Sequence, residues 1–209
     1  MIPQSCKVPY DEGVIIVTLI EYPTKRDWFE VKRRALKTIG KKPKTPPDSE
    51  WISSILEARH SPIRRAMYSF DLEFIPSNTA THFARHKHAD VYVSSLRNDI
   101  QEFIDGDHAP RNTPVGMIID ANAEELQVMS NKRLCKKAAE LTRRVMKAMC
   151  KLAIRVTPEM RGKLVPLCVY CGNTCHEMHP CEKGVKLRNA RSFERKRCRN
   201  DDRHEKRRS

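Results

Sequence analysis

Between Ala84 and Asp99 the chain reads ARHKHADVYVSSLRND. Arg85, His86, Lys87 and His88 form a dense basic cluster, and Ser94, Ser95 and Arg97 follow it after mostly uncharged residues. Guanidinium forks converging with hydroxyl and backbone donors are what a phosphate group requires, so the segment has the chemistry of a nucleotide-phosphate site. A solvated basic turn has the same composition. His82, Arg85 and His86 stand at i, i+3 and i+4, which on a helix places all three on one face. HSPIRR, from His60 to Arg65, is a second polar turn, suited either to ending a helix or to facing a ligand.

A different chemistry is concentrated in PLCVYCGNTCHEMHPC, where Cys168, Cys171, Cys175 and Cys181 lie close together with His176 and His179 interspersed. Four thiols at short spacing, with Gly172 available for a turn, provide the donor set of a structural zinc. Reduced thiols or a disulfide account for the same residues. Cys6, Cys135, Cys150 and Cys198 are scattered.

The 209 residues suffice for one sizeable core with a small appendage. Seven glycines provide neither a GxGxxG nor a GxxxxGK phosphate loop, and there is no GxSxG elbow or HExxH. No apolar run approaches the roughly 20 residues of a membrane span, and GVIIVTLI is too short and badly flanked for a signal peptide, which places the protein in the cytoplasm. The net charge is +14, and half of it falls in Glu182 to Ser209, where twelve Lys/Arg face five Asp/Glu. With so few apolar residues this tail reads as mobile, available for non-specific nucleic-acid contact or simply solvated.

These residues must be positioned by a scaffold, and the hydrophobic pattern outlines one. VIIVTLI, Val14 to Ile20, reads as a buried strand. TKRDWFEVKRRALKTIG places Trp28, Val31, Ala35, Leu36 and Ile39 at helical spacing and stops at Gly40. After the prolines of KKPKTPPD, DSEWISSILEARH resumes a short helix. Tyr68, Phe70, Leu72 and Phe74 alternate with polar residues as in a half-buried strand, and Pro76 ends it, leaving Ser77 or Asn78 to cap the helix that bears His82. NDIQEFIDGDHAPRNTP reads as a loop. From Asp120 to Val156 the pattern is helical, with two helices meeting near Asn131 and an apolar stripe of Leu134, Ala138, Leu141, Val145, Met149 and Leu152. The order predicts an α+β fold: an antiparallel or mixed sheet with flanking helices and a long C-terminal helix. Residues 1–160 form its main domain, 161–182 a cysteine knuckle and 183–209 the basic tail.

Arg85-His86-Lys87, seven residues, then Ser95-x-Arg97 resembles the RHRx7SxR signature of the flavin-dependent thymidylate synthases, with lysine in the third place. The HSP turn, the strand and the helix before it are similar to that family in order, and Asn122-Ala123 followed by Arg133 resembles its N-A…R helix. The cysteine-rich end resembles a divergent phage and Firmicutes branch, which would place the protein in bacterial or phage-infected cytoplasm.

The resemblance implies a thymidylate synthase-complementing-protein-like fold and a homotetramer that binds FAD between subunits. The implied reaction makes dTMP from dUMP, with 5,10-methylenetetrahydrofolate as carbon donor and NADPH as reductant. Arg85, His86, Lys87, Ser61 and Asn122 would then contact FAD. Ser94, Ser95, Leu96 and Arg97 would wrap the nucleotide phosphate, with His82 also at the nucleotide. Ser95 and Arg133 take catalytic roles, Arg133 lying at the pyrimidine ring. Arg111, the only arginine between Arg97 and Asn122, is the candidate for a further phosphate contact. Two other readings accommodate these residues: a related flavoprotein acting on another pyrimidine nucleotide, and a nucleic-acid-binding protein on an inactive scaffold of this type.

Overall fold

The chain enters through a β-hairpin in which β1 (Gln4–Tyr10) and β2 (Gly13–Glu21) pair antiparallel from Gln4 opposite Leu19 to Tyr10 opposite Gly13. The structure is a computed structural model and describes residues 4–97, 108–172 and 174–186. β2 is the expected VIIVTLI strand; β1 was not expected, and Pro9 is tolerated there because β1 is an edge of the sheet. Helix α1 (Lys25–Lys37) starts at a capping box, Thr24 accepting from the Asp27 N–H while Asp27 accepts from the Thr24 N–H, and the chain leaves it through Gly40 at φ 70°. Helix α2 (Ser49–Ala58) is capped by Asp48 and ends at Arg59, which adopts φ 49°. A 3-10 turn, Ser61–Arg65, then leads into β3 (Met67–Pro76).

β3 lies at the centre of a five-stranded sheet of order β1-β2-β3-β5-β4, where β4 is Ala89–Val93 and β5 is Pro114–Asn122. Every pairing is antiparallel. Tyr68, Phe70 and Leu72 enter the core as the alternation predicts, but Phe74 does not: it takes φ 59° and is 55% exposed. A bulge between Leu72 and Ile75 inserts a residue on β3, so Ile75 takes the core position intended for Phe74. Strands β4 and β5 were likewise not expected. The alternation of buried Val115, Met117, Ile119 and Ala121 is the retrospective signal of β5; β4 buries no residue fully and carries no such pattern.

Helix α3 (Ser77–Ala84) lies between β3 and β4; α4 (Ala123–Arg133) and α5 (Glu140–Val156) follow β5. The two helices expected to meet near Asn131 are separated just after Arg133, where Leu134 to Ala139 form a turn. Leu134 and Ala138 therefore leave the stripe, while Val145, Met149 and Leu152 stay fully buried against the sheet. The core unites these with Ile15, Val17 and Leu19 of β2 and the β3 residues. Each large side chain so buried contributes roughly 1.5–3 kcal/mol. The opposite sheet face keeps Met67, Tyr92 and Ile118 partly exposed. The architecture is α+β, as the sequence order requires.

A second 3-10 turn, Pro158–Met160, and the four-residue α6 (Leu167–Tyr170) carry the chain into the cysteine-rich segment. Residues 98–107 of the expected loop, and 187–209 of the basic tail, lie outside the described residues. Among the described residues, no helix is long and apolar enough to cross a membrane.

Candidate functional site

Helix α3 has no side-chain cap, contrary to the expectation for Ser77 or Asn78; its first donors are met by backbone carbonyls instead, the Ser77 N–H by Thr113 and the Asn78 N–H by Arg111. Arg111 is thereby drawn to the start of α3, where its carbonyl also accepts from the Ser77 hydroxyl. At the other end α3 closes at Arg85, and the chain turns through His86 into β4.

At this turn two of the proposed ligand-binding side chains meet. The Arg133 Nε–H donates to His86 Nε2 at 3.0 Å, and its Nη2 donates to the His82 carbonyl. The far ring nitrogen of His86, Nδ1, lies 3.1 Å from Glu125 Oε1. An ionised carboxylate can only accept, and Arg133 can only donate, so His86 carries its proton on Nδ1 and presents a lone pair from Nε2. Glu125 is 4% exposed and the His86 side chain 7%, so the carboxylate and imidazole are shielded while Arg133 is half-buried. His82 is held separately, its Nδ1 2.7 Å from the buried Thr142 hydroxyl of α5.

The charges point outward from that line. Burial, and then Arg85, lower the Arg133 pKa from its ordinary value, though a guanidinium remains protonated at neutral pH. Burial, followed by Arg133 and Arg85, likewise depresses His82, which favours its neutral ring. Arg85, Lys87 and His88 are exposed, leaving their donors accessible to an anion.

Helix α4 supplies both Glu125 and Arg133 and is anchored at each end. Asn122 caps it by accepting from the Glu125 N–H at 3.0 Å, and Ala123 N–H bonds to the Ala66 carbonyl. Near its C-terminal half, Arg59 donates to Gln127 and Asn131 at 2.7 and 2.8 Å while stacking on the Tyr170 ring at 3.8 Å. Asn131 in turn donates to the Val165 carbonyl. Ser61 is exposed in the turn before β3, whose neighbour Arg64 pairs with Glu124 of α4.

The serines occupy the other end of β4. Ser94 is clasped to β5: its N–H and hydroxyl donate to the Gly116 carbonyl at 2.9 and 3.0 Å, and its Oγ accepts from the Gly116 N–H. A Cβ at Gly116 would stand 2.9 Å from that Oγ, so only glycine allows this approach. Ser95 Oγ accepts from the Arg97 N–H at 3.1 Å, folding the turn, and Leu96 packs on the core. At a rise of about 3.3 Å per residue, the five residues of β4 separate this turn from His86 by about 16 Å. One chain therefore brings His82, His86 and Arg133 together but keeps Ser94 to Arg97 apart from them.

No family model matches this chain, and no curated protein matches its sequence. Solved structures do match in three dimensions. Thymidylate synthase X from Helicobacter pylori, solved with FAD and dUMP, aligns at a TM-score of 0.57 over 73% of this chain and 98% of that one, with 17% identity. A second structure of the flavin-dependent enzyme from the same organism, complexed with FAD and dUMP, aligns at 0.54 over 65% and 92%, with 16% identity. The chain shares the thymidylate synthase X fold. At this identity the likeness concerns the fold alone.

The cysteine segment departs from the simplest sequence expectation. Among the described residues no three His, Cys, Asp or Glu side chains are grouped closely enough to hold a metal, and no described cysteine is in a disulfide. Cys168, Cys175 and Cys181 nevertheless border one cavity of about 540 Å3, and Cys135, from the turn after α4, borders it with them; Cys171 does not. Glu125, Thr142 and Cys135 are the residues that sequence reasoning missed. None of the three has a local signal: Glu125 reads as an ordinary first-turn acid of α4 beside Glu124.

Proposed function

We propose that the protein is a flavin-dependent thymidylate synthase that converts dUMP to dTMP, taking carbon from 5,10-methylenetetrahydrofolate and electrons from NADPH. The observation that carries this reading is the coincidence of motif and place. The Arg85-His86-Lys87…Ser95-x-Arg97 residues fall on the α3–β4 connection and the end of β4, in a fold shared with proteins solved with FAD and dUMP. The exposed cations Arg85 and Lys87 fit a dinucleotide pyrophosphate, and the turn through Ser94, Ser95, Leu96 and Arg97 fits a nucleotide phosphate.

Bound FAD would supply hydride-transfer chemistry, leaving orientation and electrostatics to the chain. Arg85, His86 and Lys87, with Ser61 and Asn122, would hold the flavin; Ser94 to Arg97, His82 and Arg111 would hold the nucleotide. Ser95 orients the phosphate turn through its bond to the Arg97 N–H. Arg133, held on His86 and protonated in a half-buried site, places a fixed positive charge where an anionic pyrimidine would be stabilised. Because His86 and Ser94 stand at opposite ends of β4, a compact nucleotide site needs elements from more than one chain. Met67, Tyr92 and Ile118, partly exposed among the described residues on the sheet face opposite the core, support assembly, which in this reading is a homotetramer.

Purified protein that is yellow, with a flavin spectrum that bleaches on addition of NADPH, is the expected result. A colourless protein unable to take up FAD rejects the proposal. Rescue of a thymidine auxotroph distinguishes dUMP from another pyrimidine nucleotide as substrate.

A further inference from the structure

The positive charge of this chain sits in two places. Nine Lys/Arg and two Asp/Glu fall between Lys25 and Lys44, a net +7 that equals the excess of the basic tail and leaves the rest of the chain balanced. In the first of these segments the charge is carried on a helix. Trp28 and Val31 turn α1 toward the core, while Phe29, Arg33 and Lys37, spaced by four residues, share another face. Arg33 and Lys37 are exposed there, and Phe29 is half-buried.

The loop after α1 brings further cations to that face. Gly40, at φ 70°, turns the chain back, and the Lys41 N–H bonds to the Leu36 carbonyl at 2.9 Å. Lys32 holds the later part of the loop, donating to the Pro46 carbonyl at 3.3 Å while its ammonium lies over the Trp51 ring. The result is a hollow of about 480 Å3 bordered by Arg33, Arg34, Lys37, Lys41 and Lys42, and among the described residues no carboxylate borders it. Glu30 is engaged by Arg33 and Arg34 at 2.7 and 2.6 Å. Lys37, Lys41 and Lys42 form no ion pair with a described residue. Cations held together without a counter-charge repel one another, and an anion between them relieves that repulsion.

Phe29 borders this hollow and also a second one, of about 660 Å3, together with Lys25, Arg26, Trp28 and Glu159. An aromatic ring between two cation-bearing hollows is what single-stranded nucleic acid requires: a base stacks on the ring and the phosphates on either side meet cations. From Arg26 to Lys37 the helix rises about 16 Å, a length that a few nucleotides cover. A duplex hides the faces of its bases, and a lipid surface offers phosphates but nothing to stack on Phe29.

We propose that the outer face of α1 and the loop after it bind single-stranded nucleic acid, with Phe29 stacking on a base and Lys37, Lys41 and Lys42 meeting phosphates. None of these residues belongs to the proposed flavin or nucleotide contacts, so the site stands independently of that reading.

The test uses the full-length protein and a fluorescein-labelled oligothymidylate of about 20 nucleotides, followed by anisotropy between about 50 and 200 mM salt. The triple variant Lys37→Ala, Lys41→Ala, Lys42→Ala should lower affinity at least tenfold. Each single-strand phosphate contributes about 0.7 to the salt slope, so this variant should also flatten the slope by about 2. Removing the same charge from the tail, with Lys206→Ala, Arg207→Ala and Arg208→Ala, should cost less than threefold. Phe29→Leu should weaken the single strand severalfold with its salt slope unchanged, and leave binding of a duplex of the same length as it was. Should Phe29→Leu fail to fold, the lysine variants decide alone, since those side chains are exposed. No binding of the oligonucleotide, equal losses from the α1 and tail variants, or lysine-dependent binding to phosphatidylglycerol vesicles but not to the oligonucleotide overturns the proposal.

Discussion

Glu125 and Arg133 do not touch; His86 lies between them, accepting from one and donating to the other. If that line fixes the proton on Nδ1, removing the carboxylate should weaken the hold on Arg133. A hydrogen bond to a charged partner is worth about 1.5–3 kcal/mol and a neutral one about 0.5–1.5, so Glu125→Gln, which keeps shape but loses charge, should cost about 1 kcal/mol. Arg133→Met retains the apolar stem and removes the guanidinium. Groups in one hydrogen-bond network couple by about 0.5 kcal/mol or more, so the double variant should be destabilised by less than the sum of the single ones by at least that amount. Equilibrium urea unfolding at fixed protein concentration measures all four proteins, and repeating the cycle with His86→Leu should abolish the coupling. Additivity within about 0.3 kcal/mol, or coupling that survives loss of the imidazole, would refute the relay.

Other outcomes are equally direct. Arg133→Ala should abolish turnover while flavin absorbance remains, whereas Arg85→Ala should lose both flavin and nucleotide affinity, as read by spectrophotometric titration. Because the folded-state pKa of His82 lies below 6.5, the unfolded chain takes up its proton first. The associated stability is fully present above pH 6.5 and is lost as pH falls through the lower folded value, so the acid-side drop in urea midpoint should be shallower in His82→Gln. Gly116→Ala should break the Ser94 clasp, costing about 1 kcal/mol and weakening binding of dUMP in isothermal titration. Tyr68→Phe should cost about 1 kcal/mol in thermal or urea unfolding, since it removes the buried 2.8 Å bond to Thr157.

What the sequence made legible was local. The capping box at Thr24, the buried run of β2 and the alternation through Leu72 each arise from neighbouring residues, and the fold respects them. Phe74 escaped because nothing nearby marks a bulge; phenylalanine does not favour positive φ, and pairing with β5 imposes it. Glu125 looks like any first-turn acid of a helix beside Glu124, and its burial is set by contact with His86, 39 residues away. The separation of Arg85 to Lys87 from the Ser94 to Arg97 turn was expected from the resemblance alone; that a strand, β4, holds them apart had no signal in the spacing.

The central place of β3 also has a consequence in time. Its neighbour β2 precedes it in the chain, but the ladder on its other side, from Pro76 opposite Pro114 to Met67 opposite Asn122, waits for β5. At a synthesis rate of about 5–20 residues per second, β3 is complete roughly 2–9 seconds before the end of β5 follows it. Throughout that interval a strand carrying Tyr68, Phe70 and Leu72 presents an unpaired edge, and the His86 turn has neither Glu125 nor Arg133 to meet. The site is thus assembled late, and nascent chains paused in this window would be the ones that recruit chaperones.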